Sequence, residues 1–241
     1  MKKNSLQLIL RQAQDILTKD AERSRGAAYS LQLKIILLAL LLTTLLGGCA
    51  KREIKNLYSR GENIICFGDS ITFGYGANSG EDYPSVLAKM TDIPVINAGI
   101  DGDTSTEGLK RVDSDVLERK PLLVIIEFGG NDFLRSVPHK VTVNNVREMV
   151  DKIQAKGAMV AIADISTGMI LTEYRSAFYN LAREKAAIYI PSIFSGIITN
   201  PKLKSDFIHP NSDGYKMIAH RIYRAVIPYL NQNTLFRKFG K

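Results

Sequence analysis

Short unbroken apolar runs alternate along this chain with segments whose apolar positions recur every three or four residues. Ile64–Phe67, Val95–Ile96, Leu122–Phe128, Met159–Asp164 and Ile188–Ile190 are rich in β-branched side chains and have the length of buried strands. Between them, Tyr83, Val86, Leu87 and Met90 fall at i, i+3, i+4 and i+7, and Val146, Met149, Val150 and Ile153 repeat that spacing, with Gly157 placed to end the helix. Leu109, Val112 and Val116 mark another helix, and Phe178, Leu181 and Ala182 a fourth. Ile218, Ile222, Ala225 and Val226 mark a last one, which polar side chains of Asn211-Ser212-Asp213 can cap. Five strands alternating with helices predict a parallel sheet covered on both faces, and right-handed crossovers restrict this to a doubly wound α/β fold, a three-layer αβα sandwich. No internal repeat or second globular domain interrupts the alternation.

The front of the chain has a different pattern. Ile35–Leu46 is an uncharged apolar run of twelve residues preceded by Lys34. It is short of the roughly 20 residues that a membrane span needs but suits the apolar core of a signal peptide. Leu46-Gly47-Gly48-Cys49 follows directly and resembles the bacterial lipobox, which implies cleavage before Cys49 and lipidation of that cysteine; several acyl chains hold a protein on a bilayer where one does not. The competing reading is an uncleaved anchor across residues 31–48. The acidic Asp15, Asp20 and Glu22 before Lys34 are unusual for a leader, and Ala50 leaves the outer membrane open as a destination. On either reading residues 1–48 are leader or anchor, residues 49–62 a polar tether, and residues 63–241 the globular domain, placed outside the cytoplasm in the bacterial envelope.

Composition narrows the function. The 241 residues are 45% apolar, enough for one full core, and the formal charge of +8 falls to +4 once residues 1–48 are set aside. The remaining Lys and Arg are scattered, which argues against a nucleic-acid partner. With two cysteines, and Cys66 inside an apolar run, there is neither a disulfide framework nor zinc-ligand spacing, so no metal or organic cofactor is expected.

In doubly wound sheets ligands bind at the carboxyl ends of the strands. Four polar stretches lie there. The first strand leads into Gly68-Asp69-Ser70, where a serine can present its hydroxyl and its backbone N–H at the sheet edge; an ordinary turn capped by Asp69 or Ser70 has the same letters. The second leads into Asn97-Ala98-Gly99-Ile100-Asp101-Gly102-Asp103-Thr104-Ser105, the third into Gly129-Gly130-Asn131-Asp132, and each reads alone as a polar loop or an Asx turn. After the last strand comes Asp206-Phe207-Ile208-His209, a spacing that can set a carboxylate against an imidazole. Of the other histidines, His220 lies in the last helix and His139 in a loop after Pro138.

Taken in order, these stretches resemble the four blocks of the SGNH hydrolases, also called the GDSL family, over about Asn63 to Leu230, nearly the whole domain. The forms NAGIDGDTS, EFGGND and DFIHPN are most similar to its acyl-thioesterase, lysophospholipase and arylesterase branch. The resemblance implies a flavodoxin-like SGNH fold and a serine hydrolase, with Ser70 as nucleophile, His209 as general base and Asp206 orienting it. It also implies an oxyanion hole from Ser70 N–H, Gly102 N–H and the Asn131 side chain, with Gly99 as the alternative glycine. The expected substrate is a small acyl ester, thioester or lysophospholipid. Phe133–His139 and Thr167–Thr172 are expected to wall the acyl pocket, and acyl-CoA is scarce outside the cytoplasm. A carbohydrate O-deacetylase and a non-catalytic envelope-binding lipoprotein are the alternatives.

Overall fold

A computed structural model describes residues 53–168 and 171–239, together with Gln14. The leader, Cys49, Met169 and Ile170 lie outside the described residues. Among those described, no helix is long and apolar enough to cross a membrane.

The five expected strands form one sheet: β1 (Asn63–Gly68), β2 (Val95–Gly99), β3 (Pro121–Glu127), β4 (Met159–Ala163) and β5 (Ile188–Ile190). All pair in parallel, in the order β2-β1-β3-β4-β5. β3 is buried along its whole length, which is why its sequence is continuously apolar rather than alternating. The helices are α1 (Ser70–Phe73), α2 (Tyr83–Met90), α3 (Ser105–Asp115), α4 (Gly130–Leu134), α5 (His139–Ala155), α6 (Thr172–Glu184) and α7 (Ser212–Phe239). α2 packs against α7, while α3 packs on α5 and α5 on α6, giving the two helical layers of the sandwich. Asn211 caps α7 by accepting from the N–H groups of Asp213 and Gly214.

The strand order reverses between β1 and β3. Connections leaving these two central strands therefore diverge, opening a crevice at their carboxyl ends. Ser70 follows β1 there and Asn131 follows β3.

Three local expectations are corrected. β2 continues through Asn97-Ala98-Gly99, because β1 pairs with those residues in register; side-chain polarity had marked them as loop. His139 opens α5 instead of lying in a loop. From Glu53 onward the supposed tether is packed on the domain. Ile54 and Leu57 join the core, Asn56 Nδ2 donates to the carbonyls of Gln154 and Ala158, and Asn233 Nδ2 on α7 donates to those of Leu57 and Ser59. Lys55 N–H donates to Ala186 O, just before β5, so this segment lies at the amino-terminal end of the sheet, opposite the loops that follow β1 and β3. Leu57→Ala is accordingly expected to lower the free energy of unfolding by about 2–5 kcal/mol in urea titration, where a tether residue would change nothing.

Candidate active site

α1 begins immediately after β1 and is held at its start by Asp69, whose side chain accepts the Ile71 N–H at 3.0 Å. The capping reading of this turn is therefore correct: Asp69 caps, and Ser70 stands at the first helical position. On the last loop, Asp206 Oδ1 accepts the N–H groups of Ile208 and His209, an Asx-type turn that folds the carboxylate back on its own loop. The other oxygen, Oδ2, meets His209 Nδ1 at 2.7 Å, and His209 Nε2 lies 3.0 Å from Ser70 Oγ. Partial burial pushes the Asp206 carboxyl upward, but the hydrogen bonds from His209 and Ile208 outweigh it and hold the group below the usual carboxylate range.

Two features bring segments 139 residues apart to this meeting. Gly76, at φ +85°, lets the loop after α1 press on the histidine loop; a Cβ there would fall 2.0 Å from Ser205 Oγ and 2.9 Å from Pro210 O. Tyr215 on α7 donates to Tyr75 O, and the Tyr75 ring lies 4.5 Å from the His209 ring.

The glycine loop and Asn131 close the other side. Gly99 N–H is taken by Asn97 Oδ1, and a Cβ on Gly99 would fall 2.1 Å from Phe73 N, so this glycine serves close packing of β2 under α1. Among the described residues the Gly102 N–H has no hydrogen-bond acceptor, and its carbonyl is held by Arg135 at 2.7 Å. Asn131 Nδ2 donates to Asp103 O at 3.0 Å, which sets the amide beside Gly102 with a second N–H in hand. Asp132, buried, accepts from Ser105 N–H, Ser105 Oγ and Thr142 Oγ1 and so fixes α4 against α3 and α5. A hydroxyl, a base with an orienting carboxylate, and several N–H donors at one crevice form the constellation that acyl transfer needs.

Residues 66–217 match the GDSL-like Lipase/Acylhydrolase family, and that span contains every segment just described. The chain belongs to that family. This GDSL-type hydrolase acts on ester bonds. It is 31% identical over 180 residues to an arylesterase of Vibrio mimicus, an alignment spanning 70% of this chain and 90% of the relative. Its fold matches the crystal structure of the psychrotrophic esterase EstA from Pseudoalteromonas sp., inhibited there by monoethylphosphonate, with TM-score 0.64 and 29% identity over 70% of this chain and 99% of the other. Over 106 residues it is also 35% identical to an uncharacterized lipoprotein, YqeF, of Bacillus subtilis, covering 41% of this chain and 40% of that one.

Sequence reasoning missed what lies beneath the turn that carries Ser70. Glu127, the last residue of β3, and Asp69 are both buried and share a hydrogen bond. Glu127 Oε2 also accepts from Thr72 Oγ1 at 3.0 Å, and that hydroxyl lies 2.9 Å from Tyr83 OH. Burial, then the charge of Asp69, holds the Glu127 carboxyl protonated well above its ordinary value; burial likewise pushes Asp69 up to about 6. Folding therefore retains a proton that the unfolded chain releases near 4.5. The stability this group contributes is fully present below that pH and is lost as pH rises through the folded value. Glu127→Gln keeps an acceptor for Thr72 and a donor for Asp69 without the ionisation. The melting temperature of the variant relative to wild type is expected to rise from pH 5 to pH 8, read by calorimetry.

Proposed function

We propose that the chain is a lipid-anchored, extracytoplasmic serine esterase. Ser70 Oγ attacks the ester carbonyl while His209 Nε2 takes its proton and Asp206 stabilises the resulting imidazolium. The negative oxygen of the tetrahedral intermediate is received by the N–H groups of Ser70 and Gly102 and the Asn131 amide. His209 then protonates the departing alkoxide, and the acyl-enzyme is cleaved by a water that the same imidazole deprotonates, returning Ser70. The observation carrying this reading is the continuous line Ser70–His209–Asp206 at 3.0 and 2.7 Å.

Exposed Phe133 and Leu134, two and three residues after Asn131, support an acyl chain as the group bound at the mouth. The substrates proposed are carboxyl esters with medium to long acyl groups, lysophospholipids and aryl esters among them. The lipobox-like Cys49 and the lipoprotein relative support anchoring.

Nitrophenyl esters of graded chain length test the substrate reading. Wild type is expected to prefer medium or long chains and Ser70→Ala to be inactive on all; a sharp acetyl optimum points instead to a deacetylase. The mass of the mature amino terminus tests the anchor, and an intact Met1 there contradicts lipidation.

A further inference from the structure

Arg111, on the inner side of α3, is not part of any of the four blocks, yet it touches two of the segments that make the site and, through Asp103, the residue that anchors a third. Its Nε meets Asp103 Oδ2 at 2.6 Å, its Nη1 donates to Ala98 O at 2.8 Å and to Asp115 Oδ2 at 3.0 Å, and its Nη2 donates to Gly68 O at 3.0 Å. The guanidinium lies 4.5 Å over the Phe67 ring, and the side chain is 13% exposed. All three nitrogens are thus engaged in a fixed planar fork.

The partners of that fork matter more than their number. Gly68 O is the last carbonyl of β1, two residues before Ser70, and it also accepts the Ile100 N–H at 3.1 Å. Ala98 is at the end of β2, where the glycine loop departs. Asp103 follows Gly102, and its carbonyl is the one that Asn131 Nδ2 grips. One guanidinium therefore fixes, relative to one another, the backbone leading to Ser70, the backbone carrying Gly102 and the anchor of the Asn131 amide. These are the three donors assigned to the oxyanion hole.

We infer that Arg111 is a positioning residue for ester hydrolysis, setting the spacing of the three oxyanion donors from behind without touching substrate. The inference rests on the oxyanion assignment proposed above. A planar fork is required: lysine carries the charge but as a single point, which cannot bridge two carbonyls and a carboxylate in fixed directions.

Loss of this bridge lets the donors drift from the developing oxyanion, and displacements of about 1 Å lower rates by on the order of 10²-fold. Arg111→Met and Arg111→Lys are expected to lower kcat by about that factor, with KM changed less than about threefold, when kcat is expressed per site titrated with a fluorophosphonate. Because Arg111 acts through the same donors, Arg111→Met combined with Asn131→Ala should lose much less than the product of the two single losses. In Arg111→Ala, guanidinium ion at millimolar concentration should restore part of kcat. A merely structural arginine would lower the melting temperature while kcat per titrated site stays at the wild-type value, and that result overturns the inference, as does full multiplicative loss in the double variant. If the oxyanion assignment itself is wrong, Asn131→Ala alone keeps wild-type kcat, an outcome distinct from both.

Discussion

His209→Ala is expected to lower kcat for ester hydrolysis by roughly 10⁴–10⁶, with the fold intact. In the proposed mechanism the imidazole has two successive tasks, removing the Ser70 proton and then activating water, and among the described residues no other titratable side chain is bonded to Ser70 Oγ. Asp206→Asn should lose less, up to roughly 10⁴. An amide still accepts the backbone N–H groups of Ile208 and His209, so the loop keeps its turn, but it can present an NH₂ to Nδ1 and favour the wrong tautomer. The contrast between the two variants separates proton transfer from orientation. Steady-state kinetics on a nitrophenyl ester, with circular dichroism to check folding, reads both.

Asn131→Ala is the second large effect, with kcat expected to fall about 10²–10³-fold and KM to change little. In the proposed mechanism the amide serves charge that exists only in the tetrahedral intermediate, so its removal raises the barrier without weakening ground-state binding. The effect stays below that of His209 because the two backbone donors remain. The same substitution also frees Asp103 O, the contact through which Arg111 and Asn131 share a loop. A KM effect comparable to the kcat effect would instead mark Asn131 as a substrate-binding group.

Much of this architecture was written locally in the chain. Strands β1, β3 and β4 are buried on both sides, and burial on both sides demands the apolar runs from which they were read. Ser70, Asn131 and the Asp206/His209 pair likewise stood out because each lies just beyond a strand or on one turn. What escaped depends on partners far away in sequence. Arg111 reads as one more charge on an amphipathic helix until Gly68, 43 residues earlier, is folded against it. Glu127 reads as the polar end of a strand, and only the pairing of β1 with β3 brings it to Asp69. Asn97 interrupts an apolar pattern, yet backbone pairing with Cys66 keeps it in β2. Ile54 and Leu57 are two apolar residues in a polar segment, too few to show a period, and their burial depends on Asn233 at the other end of the domain.

The covalent chemistry at one hydroxyl is what everything else depends on. The direct measurement is treatment of the full-length protein with a fluorophosphonate, followed by proteolysis and mass analysis of the peptide bearing Ser70. A single phosphonyl group on Ser70, abolished in Ser70→Ala and strongly slowed in His209→Ala, is the expected result. A protein that hydrolyses esters while Ser70 stays unmodified, or that is labelled at another residue with loss of activity, contradicts the account.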